Sequence, residues 1–106
     1  MAKLESKFQK ELMDRIKKQY PGCVVLKNDS SYIQGFPDWT ILYKDKWAVL
    51  ETKREKGAKK QPNQEYYVDR LNSMSFSRFV YPENADQVLS ELHDIFGDEE
   101  ERHYAI

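Results

Sequence analysis

The chain has 106 residues, 40% hydrophobic and 33% charged, with one cysteine and a formal net charge of −1. That length suits one domain with one core, a lone cysteine excludes an internal disulfide, and no apolar run approaches the ~18 residues of a membrane-spanning helix. No signal peptide is visible, so an intracellular, cytoplasmic location is the expectation.

Leu4, Phe8, Leu12 and Ile16 recur every fourth residue, which predicts an amphipathic helix over Leu4–Gln19. Pro21-Gly22 stops it. Cys23-Val24-Val25-Leu26 is a short apolar run and reads as a buried strand, followed by the loop Asn28-Asp29-Ser30-Ser31. Trp39–Tyr43 and Trp47–Thr52 are β-type runs around the polar turn Lys44-Asp45-Lys46, an antiparallel hairpin. Arg54 to Lys60 is a basic loop containing Gly57. Pro62 suits the first turn of a helix that continues over Gln64–Ser73, with Val68 and Leu71 as its apolar stripe. Phe76–Tyr81 is a strand. Asn84 and Gln87 form a capping-box pair ahead of a last helix marked by Val88, Leu89, Leu92, Ile95 and Phe96, and Gly97 ends it.

The expected fold is therefore α/β. Three strands form a meander, and a βαβ crossover through the Gln64 helix adds the fourth in parallel. The result is a mixed four-stranded sheet flanked by helices, in the order αβββαβ. Residues 1–97 form the expected domain, and residues 98–106 an acidic tail that begins Asp98-Glu99-Glu100-Glu101.

Within the hairpin, a two-residue loop at Lys44-Asp45 would place Asp38 directly opposite Glu51, on one face, with Cα atoms ~4.5–5.5 Å apart. Lys53 points to the same face. Two carboxylates so placed repel and call for a cation between them or a shared proton. Taken singly, Pro-Asp is ordinary turn chemistry and Glu-Thr-Lys an ordinary solvated strand. As a set they point to a metal site, because Val49-Leu50 just before Glu51 reads as buried.

Gly35-x-Pro37-Asp38 followed by Glu51-Thr52-Lys53 resembles the PD-(D/E)XK nuclease superfamily. Gly35 and the downstream Gln64 narrow the resemblance to the virus-type replication–repair nuclease branch (VRR-NUC), which is similar to Holliday-junction resolvases. It covers roughly residues 4–95. The resemblance implies the restriction-endonuclease-like αβββαβ core and a Mg²⁺-dependent DNA endonuclease, with Mn²⁺ as a substitute. It also implies branched or structured DNA as substrate, and puts a virus-encoded source among the expectations. Junction cleavage needs two active sites, hence a homodimer. Asp38 and Glu51 would hold the metal, the Thr52 carbonyl is a further ligand the resemblance implies, and Gln64 would sit near the metal-bound water or the scissile phosphate. Lys53 acts either as a base or as an electrostatic stabiliser. The rival class is a non-catalytic nucleic-acid-binding or assembly module on the same fold.

Net charge alone argues against a nucleic-acid partner, but its distribution does not. Residues 1–60 carry 14 Lys/Arg against 8 Asp/Glu, a net of +6, and residues 61–106 carry 3 against 10, a net of −7. Arg54, Lys56, Lys59 and Lys60, with Lys44 and Lys46 at the other end of the hairpin, are candidate phosphate contacts or a solubilising surface. Lys27 either joins the site from the neighbouring strand or is a strand-end surface lysine. Gln64 faces inward, as a site amide or as a helix-start group bonded to backbone; Gln61, ahead of Pro62, is its rival. Tyr32 and Phe36 flank the site and could stack on bases, with core packing the alternative for Phe36. Glu5 lies ~100° round the first helix from Leu4, inside the apolar arc. A carboxylate there either shapes the metal site or favours the helix N-terminus. His93 and His103 have no partner at ligand spacing and receive no role.

Overall fold

The computed structural model describes residues 2–29 and 31–97, with side chains from Glu5 onward. The expected Leu4 contact, Ser30, the acidic tail and His103 lie outside the described residues. The elements are α1 (Ala2–Gln19), β1 (Val24–Lys27), β2 (Trp39–Tyr43), β3 (Lys46–Thr52), α2 (Gln64–Met74), β4 (Ser77–Val80) and α3 (Ala85–Phe96). They build an α/β fold on one mixed sheet of order β1-β2-β3-β4, antiparallel except for the β3–β4 pair.

The hairpin register is the one the sequence predicts. Tyr43 pairs with Lys46 and Trp39 with Leu50, so the loop is Lys44-Asp45 alone. Lys44 adopts a left-handed φ of 58°, which lets so short a loop follow the right-handed twist of its strands.

Alternation along the strands divides the sheet into two unlike faces. Ile41, Tyr43, Ala48, Leu50 and Val80 point to one face. There they pack with Leu12, Met13, Ile16 and Tyr20 of α1 and with Val88, Leu89, Leu92 and Phe96 of α3. Tyr20 sits at the centre, its ring 5.1 Å from Tyr43 and 5.2 Å from Phe96 between centroids. Its hydroxyl lies 3.0 Å from Nδ1 of His93, which gives that histidine a structural partner. The opposite face is covered by α2 only over β3 and β4.

Partial covering corrects one expectation. β1 is an edge strand, not a buried one: Val24 and Leu26 are exposed, as is Leu42 opposite Val24, because α2 on that face packs over β3 and β4 instead. Three smaller differences are local. Pro62 precedes α2 instead of entering its first turn, and Asn63, at φ 70°, occupies the cap. Asn84 caps α3 without a side-chain bond to the helix. Its amide instead accepts from Tyr81 N–H (2.9 Å) and donates to Phe79 O (3.0 Å), tying β4 to α3, while Gln87 turns to Glu91. Ile95 faces outward, since Leu92 and Phe96 already fill the adjoining core. Gly97, at φ 58°, ends α3 as read. Among the described residues no helix is long and apolar enough to cross a membrane.

Candidate metal and phosphate site

The C-terminal end of β3 carries two adjoining buried polar side chains. Glu51 is 3% exposed and Thr52 fully buried. Asp38 precedes the first residue of β2, and its carbonyl continues the ladder by accepting Asn28 N–H (2.7 Å). One step beyond the Trp39–Leu50 pair, Asp38 stands opposite Glu51 on the α2 side of the sheet. A cleft of about 490 Å³ opens there, lined by Asp38, Glu51, Lys53 and Gln64 together with Glu5, Gln9 and Lys27.

Hydrogen bonds define the roles of these groups. Gln61 N–H donates to Gln64 Oε1 (2.8 Å) and Lys53 Nζ donates to the same oxygen (2.7 Å). A main-chain N–H can only donate, so this pair orients the amide and turns Gln64 Nε2 to Glu51 Oε2, 3.1 Å away. Lys53 Nζ also donates to Lys59 O (3.2 Å) and lies 3.9 Å from Glu51 Oε2. On the other side, Gln9 Nε2 donates to Thr52 Oγ1 (2.8 Å), which donates to Asp38 Oδ2 (3.0 Å). Each carboxylate is thus held by a neutral donor that aims it.

Two oxygens are left over. Glu51 Oε1 is buried with no hydrogen-bond partner among the described residues. Burial foremost, then the charge of Asp38, pushes the Glu51 carboxyl up to about 8, against the opposing pull of Lys53. The second is the Thr52 carbonyl. Val49 N–H and Lys53 N–H bond to Phe76 O and Val80 O of the β4 side, so the main-chain groups of Thr52 face β2. Continuing the register puts Pro37 opposite Thr52, and proline has no N–H to offer.

Among the described residues no group of three or more His, Cys, Asp or Glu side chains is placed to hold a metal ion. The acidic oxygens lining the cleft are the carboxylates of Asp38, Glu51 and Glu5. Such a set suits a hard cation that keeps most of its water and needs only one or two carboxylates.

Gly35 explains how Gln64 reaches this place. Its φ is +86°, and a Cβ there would lie 2.6 Å from Pro62 O and 2.7 Å from Asn63. The loop before β2 therefore presses backbone against backbone on the turn that starts α2, and only glycine permits that approach.

The predicted basic residues are divided. Lys27, Arg54 and Lys59 line the cleft. Lys60 lies beside it in a neighbouring groove, 3.4 Å from Glu65 and over the Phe79 ring. The Lys56 main chain bonds weakly to Glu83 (3.4 Å). Lys44 and Lys46 belong to the far end of the hairpin, outside the cleft; Lys46 pairs with Asp45 there (3.2 Å). Gln9 was not anticipated. It lies one helical turn after Glu5, a spacing that places both on one side of α1. A second groove, sharing Gln9 and Lys27 with the cleft, runs on between α1 and β1 past Lys10 and Lys17.

No family model, curated protein or solved structure matches the chain.

Proposed function

We propose that the protein is a Mg²⁺-dependent DNA endonuclease that hydrolyses phosphodiester bonds in branched or otherwise structured DNA. The observation that carries this reading is the pair Asp38 and Glu51, one of them with a buried oxygen that makes no hydrogen bond among the described residues. Leaving such an oxygen bare costs about 1–3 kcal/mol or more, a cost a cation removes. The order αβββαβ and the Gly35-x-Pro37-Asp38…Glu51-Thr52-Lys53 resemblance agree with it.

Asp38, Glu51 and the Thr52 carbonyl are the proposed ligands, with Mn²⁺ able to replace Mg²⁺. Bound there, the ion supplies a water acidic enough to attack at neutral pH and charge to balance the phosphate. Gln64 orients Glu51 and fixes Lys53. The Lys53 ammonium spends two donors on Gln64 and Lys59; the third, with Glu51 Oε2 3.9 Å from the nitrogen, would serve a phosphate oxygen in the cleft. That favours charge stabilisation over proton abstraction as its task. Lys27, Arg54 and Lys59 supply phosphate contacts on the walls. Symmetric cutting of a four-way junction needs two such sites, so a homodimer belongs to this reading.

The deciding experiment compares nicking of a junction, a flap, a single strand and a linear duplex in Mg²⁺ with binding of each in chelator. Metal-dependent cutting of the structured substrates, lost in Lys53→Ala with binding retained, is the expected result. Binding without cutting in any divalent metal would make the chain a non-catalytic module.

A further inference from the structure

A second cavity lies in the loop between β1 and β2, whose ends carry Lys27 and Asp38 of the cleft. It measures about 400 Å³ and is lined by Asn28, Asp29, Tyr32, Ile33 and Phe36. Asn28 is the partition: its N–H holds Asp38 O and its Nδ2 donates to Pro37 O (2.8 Å). Lys27 and Asp38, on the cleft side, are one and two residues from Asn28 and Phe36 on the cavity side. The two spaces are therefore lined by adjoining stretches of chain, joined across the Asn28 N–H to Asp38 O bond.

The chemistry of the lining is unlike that of the cleft. Tyr32 is 85% exposed, an aromatic ring held out in solvent, and Ile33 is exposed beside it. Phe36 is braced from behind by Tyr67 of α2, with centroids 5.7 Å apart. The single charge is Asp29, whose Oδ1 accepts from the Ser31 hydroxyl (2.6 Å) and N–H (2.9 Å). Those bonds, the hydroxyl first, hold its carboxyl below the usual range. A carboxylate repels phosphate and accepts from the N–H groups on a base edge, while the rings offer stacking surface.

We propose that this cavity receives one unstacked nucleobase, from the nucleotide beside the phosphate held in the Asp38–Glu51 cleft. The inference rests on the nuclease reading for the position of that phosphate, and it narrows the substrate to DNA with an unpaired nucleotide at the cutting point. A base inside a duplex is stacked and points to the helix axis, so it enters a side cavity only where pairing is already lost or cheaply broken. Tyr32 and Phe36 take its faces, and Asp29 accepts from its edge.

The test uses the full chain with a flap oligonucleotide carrying 2-aminopurine at the unpaired position, titrated in chelator, and a matched oligonucleotide with an abasic residue there. Wild type should quench or shift the 2-aminopurine signal on binding and bind the abasic version about 10-fold or more weakly, the scale of one stacked base. Tyr32→Ala, at a solvent-exposed position, should erase that difference, and Tyr32→Phe should keep it. Equal affinity for base and abasic site, with no effect of Tyr32→Ala, overturns the cavity. Failure of the nuclease reading looks different: base discrimination persists in chelator while no substrate is cut in Mg²⁺ or Mn²⁺. Absence of binding to every oligonucleotide overturns both.

Discussion

The two ends of the β2–β3 hairpin carry similar charges in unlike circumstances. At the turn, exposed Lys44 and Asp45 meet half-buried Lys46 at the surface: Lys46 reaches Asp45 at 3.2 Å and Lys44 lies over the Tyr43 ring. Surface pairs of that kind contribute about 0–1 kcal/mol and constrain nothing else. At the other end Asp38, Glu51 and Lys53 are drawn under α2, where each polar atom needs a named partner and Glu51 Oε1 has none among the described residues. Burial, rather than the number of charges, makes one end a candidate site and the other a solvated loop.

The largest effect expected from breaking this contrast is in catalysis. Asp38→Asn keeps the shape and removes the second carboxylate charge. Loss of groups that only orient a metal ligand costs about 10–100-fold, so cleavage should fall by more than about 100-fold while chelator-state binding stays near wild type. Cleavage rates with and without Mn²⁺ check this, and a retained rate would remove Asp38 from the metal.

Gly35→Ala comes next. It combines a left-handed φ with a Cβ set 2.6 Å from Pro62 O, so stability should drop by about 1–3 kcal/mol. The displaced start of α2 carries Gln64 away from Glu51, and the Mg²⁺ concentration for half-maximal cutting should rise. Urea denaturation with metal titration separates the two effects; an unchanged midpoint would mean that the loop and α2 do not meet as described.

The Glu51 carboxyl gives a pH signature. Folded Glu51 keeps its proton to about pH 8, whereas an unfolded chain gives it up near 4.5. This contribution to metal-free stability is complete below about 4.5 and is lost as pH rises through 8. Thermal midpoints in chelator should therefore decline over that window, and Glu51→Gln should flatten the decline. Mg²⁺ added at pH 7 should release close to one proton per site, measurable by calorimetry in buffers of different ionisation heat. A flat profile in wild type would argue that Glu51 is already ionised.

The smallest effect belongs to the turn. Lys44→Ala with Lys46→Ala should change stability by no more than about 0.5 kcal/mol and leave the cleavage rate alone. A large loss of DNA affinity in that double variant would extend the binding surface to the far end of the hairpin.

Much of this was legible because strands have a strict period of two. Once Lys44-Asp45 is taken as the loop, the positions of Asp38, Glu51 and Lys53 on one face follow from counting, and so does the exclusion of Leu50 and Ile41 from that face. The α1 stripe and the Gly97 stop are equally local, since each depends on residues within a turn or two of chain. What neighbours in space decide could not be counted. The buried reading of β1 failed because exposure depends on which strands α2 covers, and Asn84 gave up its capping box because Phe79 and Tyr81 offered its amide other partners. The Gly35 contact with Pro62 and Asn63, the Lys59 carbonyl under Lys53 and the Gln9 bond to Thr52 join residues remote in the chain. Side-chain direction along a strand is a property of the sequence, whereas the partners of a buried polar group exist only after the loop before β2, α1 and the start of α2 have closed around the end of β3.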